Sequence, residues 1–170
     1  MSKLAGFIFG VLLCAGLIKA ALASHTGFDQ NNLLDDGTFI NKETMSAAEI
    51  QDFLKQKGSF LKDFSEGGRT AAQIIWDAAH GNIDDAAGSW GGKVTIDSGS
   101  GTINPQVILV TLQKEQSLIS KTAQDDNALK KAMGYGCPDS GSCDATYAGF
   151  TKQVNWGAAQ LRFNYERASG

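Results

Sequence analysis

Histidine is almost missing from this chain: His25 and His80 are the two representatives in 170 residues. Cysteine is scarce as well, with Cys14, Cys137 and Cys143 the three present. Neither histidine is close in sequence to the Cys137/Cys143 pair, so the ligand spacing of a Cys/His metal site is lacking. No metal and no cofactor are expected. Charge is thin too: Asp, Glu, Lys and Arg make up 19% of the chain, for a formal net charge of −3. No basic cluster occurs, which excludes the electrostatic footprint of a nucleic-acid binder. Beyond the N-terminus no apolar stretch is long enough to span a bilayer. There is no internal repeat and no low-complexity linker. What the chain does have is glycine, 20 in all, set among Ser, Thr, Asn and Asp. Such a composition suits an exported protein that faces an uncharged polymer.

The N-terminus has the form of a secretory signal. Lys3 is a short basic start, Leu4 to Ile18 is nearly all apolar, and Ala21-Leu22-Ala23 places small residues two apart before Ser24. Residues 1–23 therefore read as a signal peptide. Lys19 interrupts the run and keeps an uncleaved anchor open as the alternative. Cys14 follows Val11-Leu12-Leu13 rather than a small residue, so lipidation is rejected. Cleavage would leave a protein with no membrane tie, secreted or in the periplasm and cell envelope. At about 150 residues it is long enough for one domain with a real core. The two cysteines that remain, Cys137 and Cys143, form an even pair in an exported chain and read as a disulfide. Their loop is small, worth about 2 to 2.5 kcal/mol of constraint on the unfolded chain.

The mature chain reads as mainly α. Residues 24–45 form a polar arm anchored by Phe28, Leu33, Leu34, Phe39 and Ile40. The helical domain then spans 46–170. Ser46-Ala47-Ala48-Glu49 is a capping box that starts a helix stopped by Gly58. A second helix is predicted from about Arg69 to His80. Gly81 to Thr102 is a glycine-rich hairpin or flap, with Lys93 to Asp97 as a short strand. Asn104-Pro105 supplies an N-cap and a first-turn proline for a third helix running to about Lys121. Asp125 to Asn127 caps a short helix through Ala128, Leu129 and Ala132. The last helix runs from Tyr147 or Phe150 to Arg167, with Phe150, Val154, Ala158, Leu161 and Tyr165 on one face.

One residue breaks the pattern of the third helix. Ile108, Leu112, Glu115 and Ile119 share a face, and Glu115 is a carboxylate among three large aliphatic residues. Desolvation there would raise its pKa, and a carboxylic acid still protonated near neutral pH is what a general acid requires. The alternative is a Glu at the rim of the face, paired with Lys or Arg or open to solvent.

Three segments carry a family resemblance: Ile103-Asn104-Pro105 through Glu115, Ala132-Met133-Gly134-Tyr135-Gly136, and Asn155-Trp156-Gly157-Ala158-Ala159-Gln160-Leu161-Arg162. In order and spacing they resemble the lysozyme-like superfamily, particularly soluble lytic transglycosylases and goose-type lysozymes. The runs Leu109 to Gln116 and Gly134 to Ser140 are also similar to those of a group of secreted bacterial wall-associated proteins. The resemblance implies a lysozyme-like helical domain that cleaves peptidoglycan between N-acetylmuramic acid and N-acetylglucosamine, with Glu115 as general acid and base. Gly134, Tyr135 and Gly136 would form the opposite groove wall, and Gln116 and Ser117 would hydrogen-bond near the acid. A hydrolase would need a second carboxylate, for which Asp139 and Asp144 are the candidates. Trp90, set among glycines, is expected to be exposed and able to stack on sugar. Trp76 and Trp156 lie within helices and read as core. The chain departs from the family where Gln116 replaces the usual Ser after the acid and where Gly136-Cys137 replaces Met-Gln. These departures favour the competing reading, a non-catalytic module that binds wall polysaccharide or mediates adhesion. The acid and its helix favour the enzyme.

Overall fold

Helix α1 (Asp36–Phe39) opens the described part of the molecule, its free amides closed by the Asp35 carboxylate, which accepts from the Thr38 N–H. The computed structural model describes residues 33–169. The signal segment, Cys14, His25, Phe28 and the start of the arm lie outside those residues. Chain from Leu34 onward forms one unit, mainly α-helical with two small two-stranded sheets.

Helix α2 (Ala47–Lys57) begins at the expected capping box. Ser46 accepts from the Glu49 N–H and Glu49 reaches back to the Ser46 N–H. It ends at Gly58, whose φ of 67° is a left-handed stop. Ile50 and Leu54 bury its inner face. The next stretch is tied to a distant one: buried Ser59 donates to the Leu118 carbonyl, and the Phe60 N–H donates to the Lys121 carbonyl.

A short ribbon follows, β1 (Ser65–Glu66) against β2 (Arg69–Thr70), turned by Gly67 and Gly68. The second helix therefore starts later than its sequence pattern predicts. Arg69 and Thr70 are strand residues, and Thr70 is the N-cap of α3 (Ala71–Ala79). Helix α3 is the centre of the core. Ala71, Ala72, Ile74, Ile75, Ala78 and Ala79 are all buried, and α2, α4 and α6 pack around it. The small alanines permit that close approach. Its one buried charge, Asp77, is held by Arg69 and Gln73 at 2.9 Å each.

The glycine-rich stretch is a hairpin, β3 (Gly88–Trp90) with β4 (Val94–Ile96), registered Gly88↔Ile96 and Trp90↔Val94. Gly81 seats its end against α3. A Cβ there would lie 2.0 Å from the Asp97 carbonyl oxygen.

Helix α4 (Pro105–Gln116) starts as predicted. The buried Asn104 side chain accepts from the Gln106 N–H and the Thr44 hydroxyl, and donates to the Thr38 carbonyl. It stops five residues earlier than expected. Ser117 adopts φ 56° and its N–H closes on Gln113 and Leu112, so Leu118 and Ile119 turn inward as loop residues and are still buried. Helix α5 (Asp126–Leu129) is a single turn capped by Asp125. Helix α6 (Phe150–Ala168) is the longest among the described residues. Phe150, Val154 and Ala158 are fully buried, while Leu161 and Tyr165 toward its end are half-buried. Gly149 offers it no capping side chain. Glu66 on β1 supplies the cap, accepting from the Thr151 N–H at 2.7 Å. Among the described residues no helix is long and apolar enough to cross a membrane.

Five surface carboxylates hold turns and helix starts by accepting hydrogen bonds, and all five are pulled below their ordinary values. Asp35 is lowered chiefly by the Thr38 hydroxyl, Glu49 by the Ser46 N–H, Asp97 by Ser100, Asp125 by Ala128 and Asp144 by Thr146. A native pKa below the unfolded one means that the native state holds fewer protons. The stabilisation is then complete above the unfolded values of 3.8 for Asp and 4.5 for Glu and is lost as pH falls through the lowered ones. Melting temperature should therefore hold level above about pH 5 and fall in acid. Asp125→Asn keeps the cap and removes one proton linkage, so its acid decline should be shallower; an unchanged profile in thermal melts against pH would contradict this.

Candidate functional site

Helix α4 presents Thr111 and Glu115, one turn apart, to a cleft whose other walls are the 133–136 segment and α6. The cleft has a volume of about 420 Å³. Glu115, Gly134, Tyr135 and Gly136 line it together, joined by Gly157, Gln160 and Leu161 from α6. The Glu115 carboxylate stands at the rim of the apolar stripe: its side chain is 31% exposed and accepts from Lys114 at 3.0 Å. Lys114 is 79% exposed, so the pair is a loose surface contact that water and salt weaken. Of the two expectations for Glu115, a desolvated acid or a paired rim residue, the geometry is that of the rim.

Gly134 approaches Glu115 from the facing wall. At φ 72°, a Cβ built there would lie 3.1 Å from Glu115 Oε2. The left-handed backbone and the close approach both require glycine. The same logic applies beneath it. A Cβ at Gly157 would meet Met133 at 2.8 Å, so the bare helix surface lets the segment seat on α6.

That segment is held by a residue absent from the sequence-based candidates. Gln153, 1% exposed, accepts from the Met133 and Tyr135 N–H groups at 3.2 and 3.1 Å. It donates to the Tyr135 and Tyr147 carbonyls at 2.9 Å each. Every hydrogen-bonding position of the amide is used. The signal was available: Gln153 falls on the Phe150/Val154/Gly157 face of α6, a polar residue in a buried stripe, as Glu115 is on α4.

The other candidates lie elsewhere. Gln116 and Ser117 follow Glu115 at roughly 100° steps around the helix, which turns them out of the cleft, and Ser117 is the helix stop. Asp139 is exposed in the disulfide loop. Asp144 backs onto Gly136 from outside, its carboxylate occupied by the Thr146 N–H. Neither aspartate lines the Glu115 cleft. The Cys137–Cys143 disulfide is formed, and the Asp144 N–H donates to the Gly136 carbonyl across its base. Trp90 is half-buried rather than exposed. Its indole N–H donates to Ala86, and its ring packs against Trp156 and Phe163 at 5.4 and 5.8 Å. Trp76 stacks on His80. Trp156, expected as core, is partly exposed and meets Tyr135 and Tyr147 at 5.5 and 5.0 Å. Burial pushes the Tyr135 phenol up, with Tyr147 adding to it.

A larger groove of about 560 Å³ lies between α2 and α4, walled by Met45, Phe53, Leu109, Val110 and Ile119. Its one titratable lining residue is Lys57, and no carboxylate lines it. Among the described residues no cluster of three or more His, Cys, Asp or Glu is placed to hold a metal ion.

Residues 32–168 match the family model described as LasA, N-terminal domain. This chain belongs to that family. No curated protein and no solved structure matches it. In this LasA N-terminal domain the matched range takes in the six α-helices of the described residues, both walls of the cleft and the disulfide. Gly134→Ala should force the backbone out of its left-handed region and press on Glu115, with a loss of about 1 to 2 kcal/mol. Chemical denaturation checks it: Gly134→Ala should fall well below wild type, whereas the control Gly92→Ala, equally left-handed but in open space, should lose only the backbone part.

Proposed function

We propose that this LasA N-terminal-domain protein is an exported, cell-wall glycan-cleaving enzyme. It would act on peptidoglycan between N-acetylmuramic acid and N-acetylglucosamine, with Glu115 as general acid and then base, on a lysozyme-like helical domain. The observation that carries this reading is a carboxylate at the wall of a cleft with the Gly134 main chain held against it. Backbone glycine opposite an acid leaves room for a sugar to approach closely. The signal-like N-terminus and the Cys137–Cys143 disulfide support export.

Glu115 is the one carboxylate among the described residues lining the cleft. That favours a route needing a single acid over a two-carboxylate hydrolysis. Glu115 would donate its proton to the glycosidic oxygen as the bond to the muramyl anomeric carbon breaks, releasing the N-acetylglucosamine hydroxyl. The resulting carboxylate would take the proton of the muramyl primary hydroxyl as that oxygen closes on the anomeric carbon, forming an anhydro ring and restoring the acid. No water is consumed.

The rim position of Glu115 and its Lys114 contact support a second reading, a wall-polysaccharide-binding or adhesion module in which Glu115 serves as a hydrogen-bonding group. Mass spectrometry of purified peptidoglycan incubated with protein from Ser24 onward separates the two. The enzyme should release anhydro-muropeptides, and Glu115→Gln should cut release by about a hundredfold or more. Reducing-end products would point to hydrolysis; binding without any product, equal in both proteins, would leave the module.

A further inference from the structure

Tyr135, Tyr147 and Trp156 form a closed triangle of rings beside the Glu115 cleft. Their centroids are 4.7, 5.0 and 5.5 Å apart, and all three side chains remain partly exposed. Tyr135 belongs to both features, since it also lines the cleft. The rings are locked from below and from the side. Gln153 donates one hydrogen bond to the Tyr135 carbonyl and one to the Tyr147 carbonyl, fixing the main chains that carry the two rings relative to each other. Asp85 accepts from the Trp156 indole N–H at 3.0 Å and from the Asn155 amide at 2.6 Å. Asn155 is 3% exposed, and its Oδ1 has no hydrogen-bond partner among the described residues. Tyr135, Tyr147 and Trp156 are each only partly buried. These are held rigid while keeping contact with solvent.

We infer that Tyr135, Tyr147 and Trp156 are a preorganised stacking platform for pyranose rings of the same glycan strand, beyond the sugars that flank Glu115. The inference rests on the reading of the Glu115 cleft as a glycan site and names its preferred ligand: extended chains of β-linked N-acetylhexosamine, not disaccharide units. A pyranose ring has an apolar C–H face and a hydroxylated rim, which matches aromatic faces bordered by polar groups. Asp85 keeps free lone pairs at that border for sugar hydroxyls. The platform and the cleft are continuous through Tyr135, so one strand can lie on both.

Titration of tryptophan fluorescence with N-acetylglucosamine oligomers, from disaccharide to hexasaccharide, tests this in the Glu115→Gln protein, where turnover cannot interfere. Affinity should rise about tenfold along the series. Tyr147→Leu should abolish most of that rise while leaving the disaccharide unchanged. Asp85→Ala keeps all three rings in the sequence and removes the acceptor of both the Trp156 indole N–H and the Asn155 amide; it should flatten the series by about threefold. Equal affinity for all lengths, or an unaltered rise in both variants, overturns the platform. Muropeptide release by wild type without a length effect would sink the platform and leave the reaction standing. A length effect without release would do the reverse.

Discussion

The approach of the Gly134 main chain to the Glu115 carboxylate is the constraint around which this domain is arranged. It joins two elements that have no covalent reason to meet, the end of α4 and a loop between α5 and α6. Each is positioned by a buried amide. Asn104 anchors the start of α4 to the segment around Thr38 and Thr44, and Gln153 anchors the loop to α6. Buried amides with all partners in place tolerate little displacement, because any shift leaves a donor or acceptor unpaired in a low-dielectric interior. The register of cleft wall against cleft wall is thus set by hydrogen bonds, while the apolar core around α3 supplies the bulk of the cohesion.

The disulfide fits this division of labour. Besides its constraint on the unfolded chain, the loop it closes begins at Cys137, directly after Gly136 of the cleft wall, and ends at Cys143, just before the turn carrying Tyr147. Gln153 holds Tyr135 and Tyr147, which flank that loop, from inside. The cleft wall is therefore pinned covalently on its solvent side and by hydrogen bonds on its buried side. Such double support is expected where a site needs geometry better than loose loops provide.

Much of this was legible in the chain, and what was not has a common cause. Ser46 with Glu49, Asn104 with Pro105, and the Phe150/Val154/Ala158 face are local signals, readable within one or two helical turns, and those elements formed where they point. The Cys137/Cys143 pair was equally local. The end of α4 was missed because Ser117 takes a left-handed conformation that non-glycine residues rarely adopt; nothing in Gln116-Ser117-Leu118 announces it. The cap on α6 comes from Glu66 and the clasp on Trp156 from Asp85, partners that only the fold brings close. Trp90 looked exposed among its glycines because its contact, Trp156, is likewise remote in sequence. Grouping Glu115 with Gly134, Tyr135 and Gly136 came from a resemblance in order and spacing, since no periodicity connects a helix to a loop that far along the chain.

The two clefts on α4 show why size is a poor guide to chemistry here. The groove toward α2 is larger and more apolar, yet its lining holds one titratable group, a lysine. The smaller cleft holds the Glu115 carboxylate, a close-approach glycine, Tyr135 and the Gln160 amide. A general acid on a polar polymer needs a partly wet site in which sugar hydroxyls can exchange water for side chains, and it needs its proton only when substrate arrives. A carboxylate 31% exposed at the rim is open to a sugar ring that would lie over it. Partial exposure of Glu115 is thus compatible with the proposed role on a glycan, with the glycan itself excluding water from the contact. That condition in turn explains why a rigid aromatic surface beside the cleft would matter: it would hold the strand down over the acid.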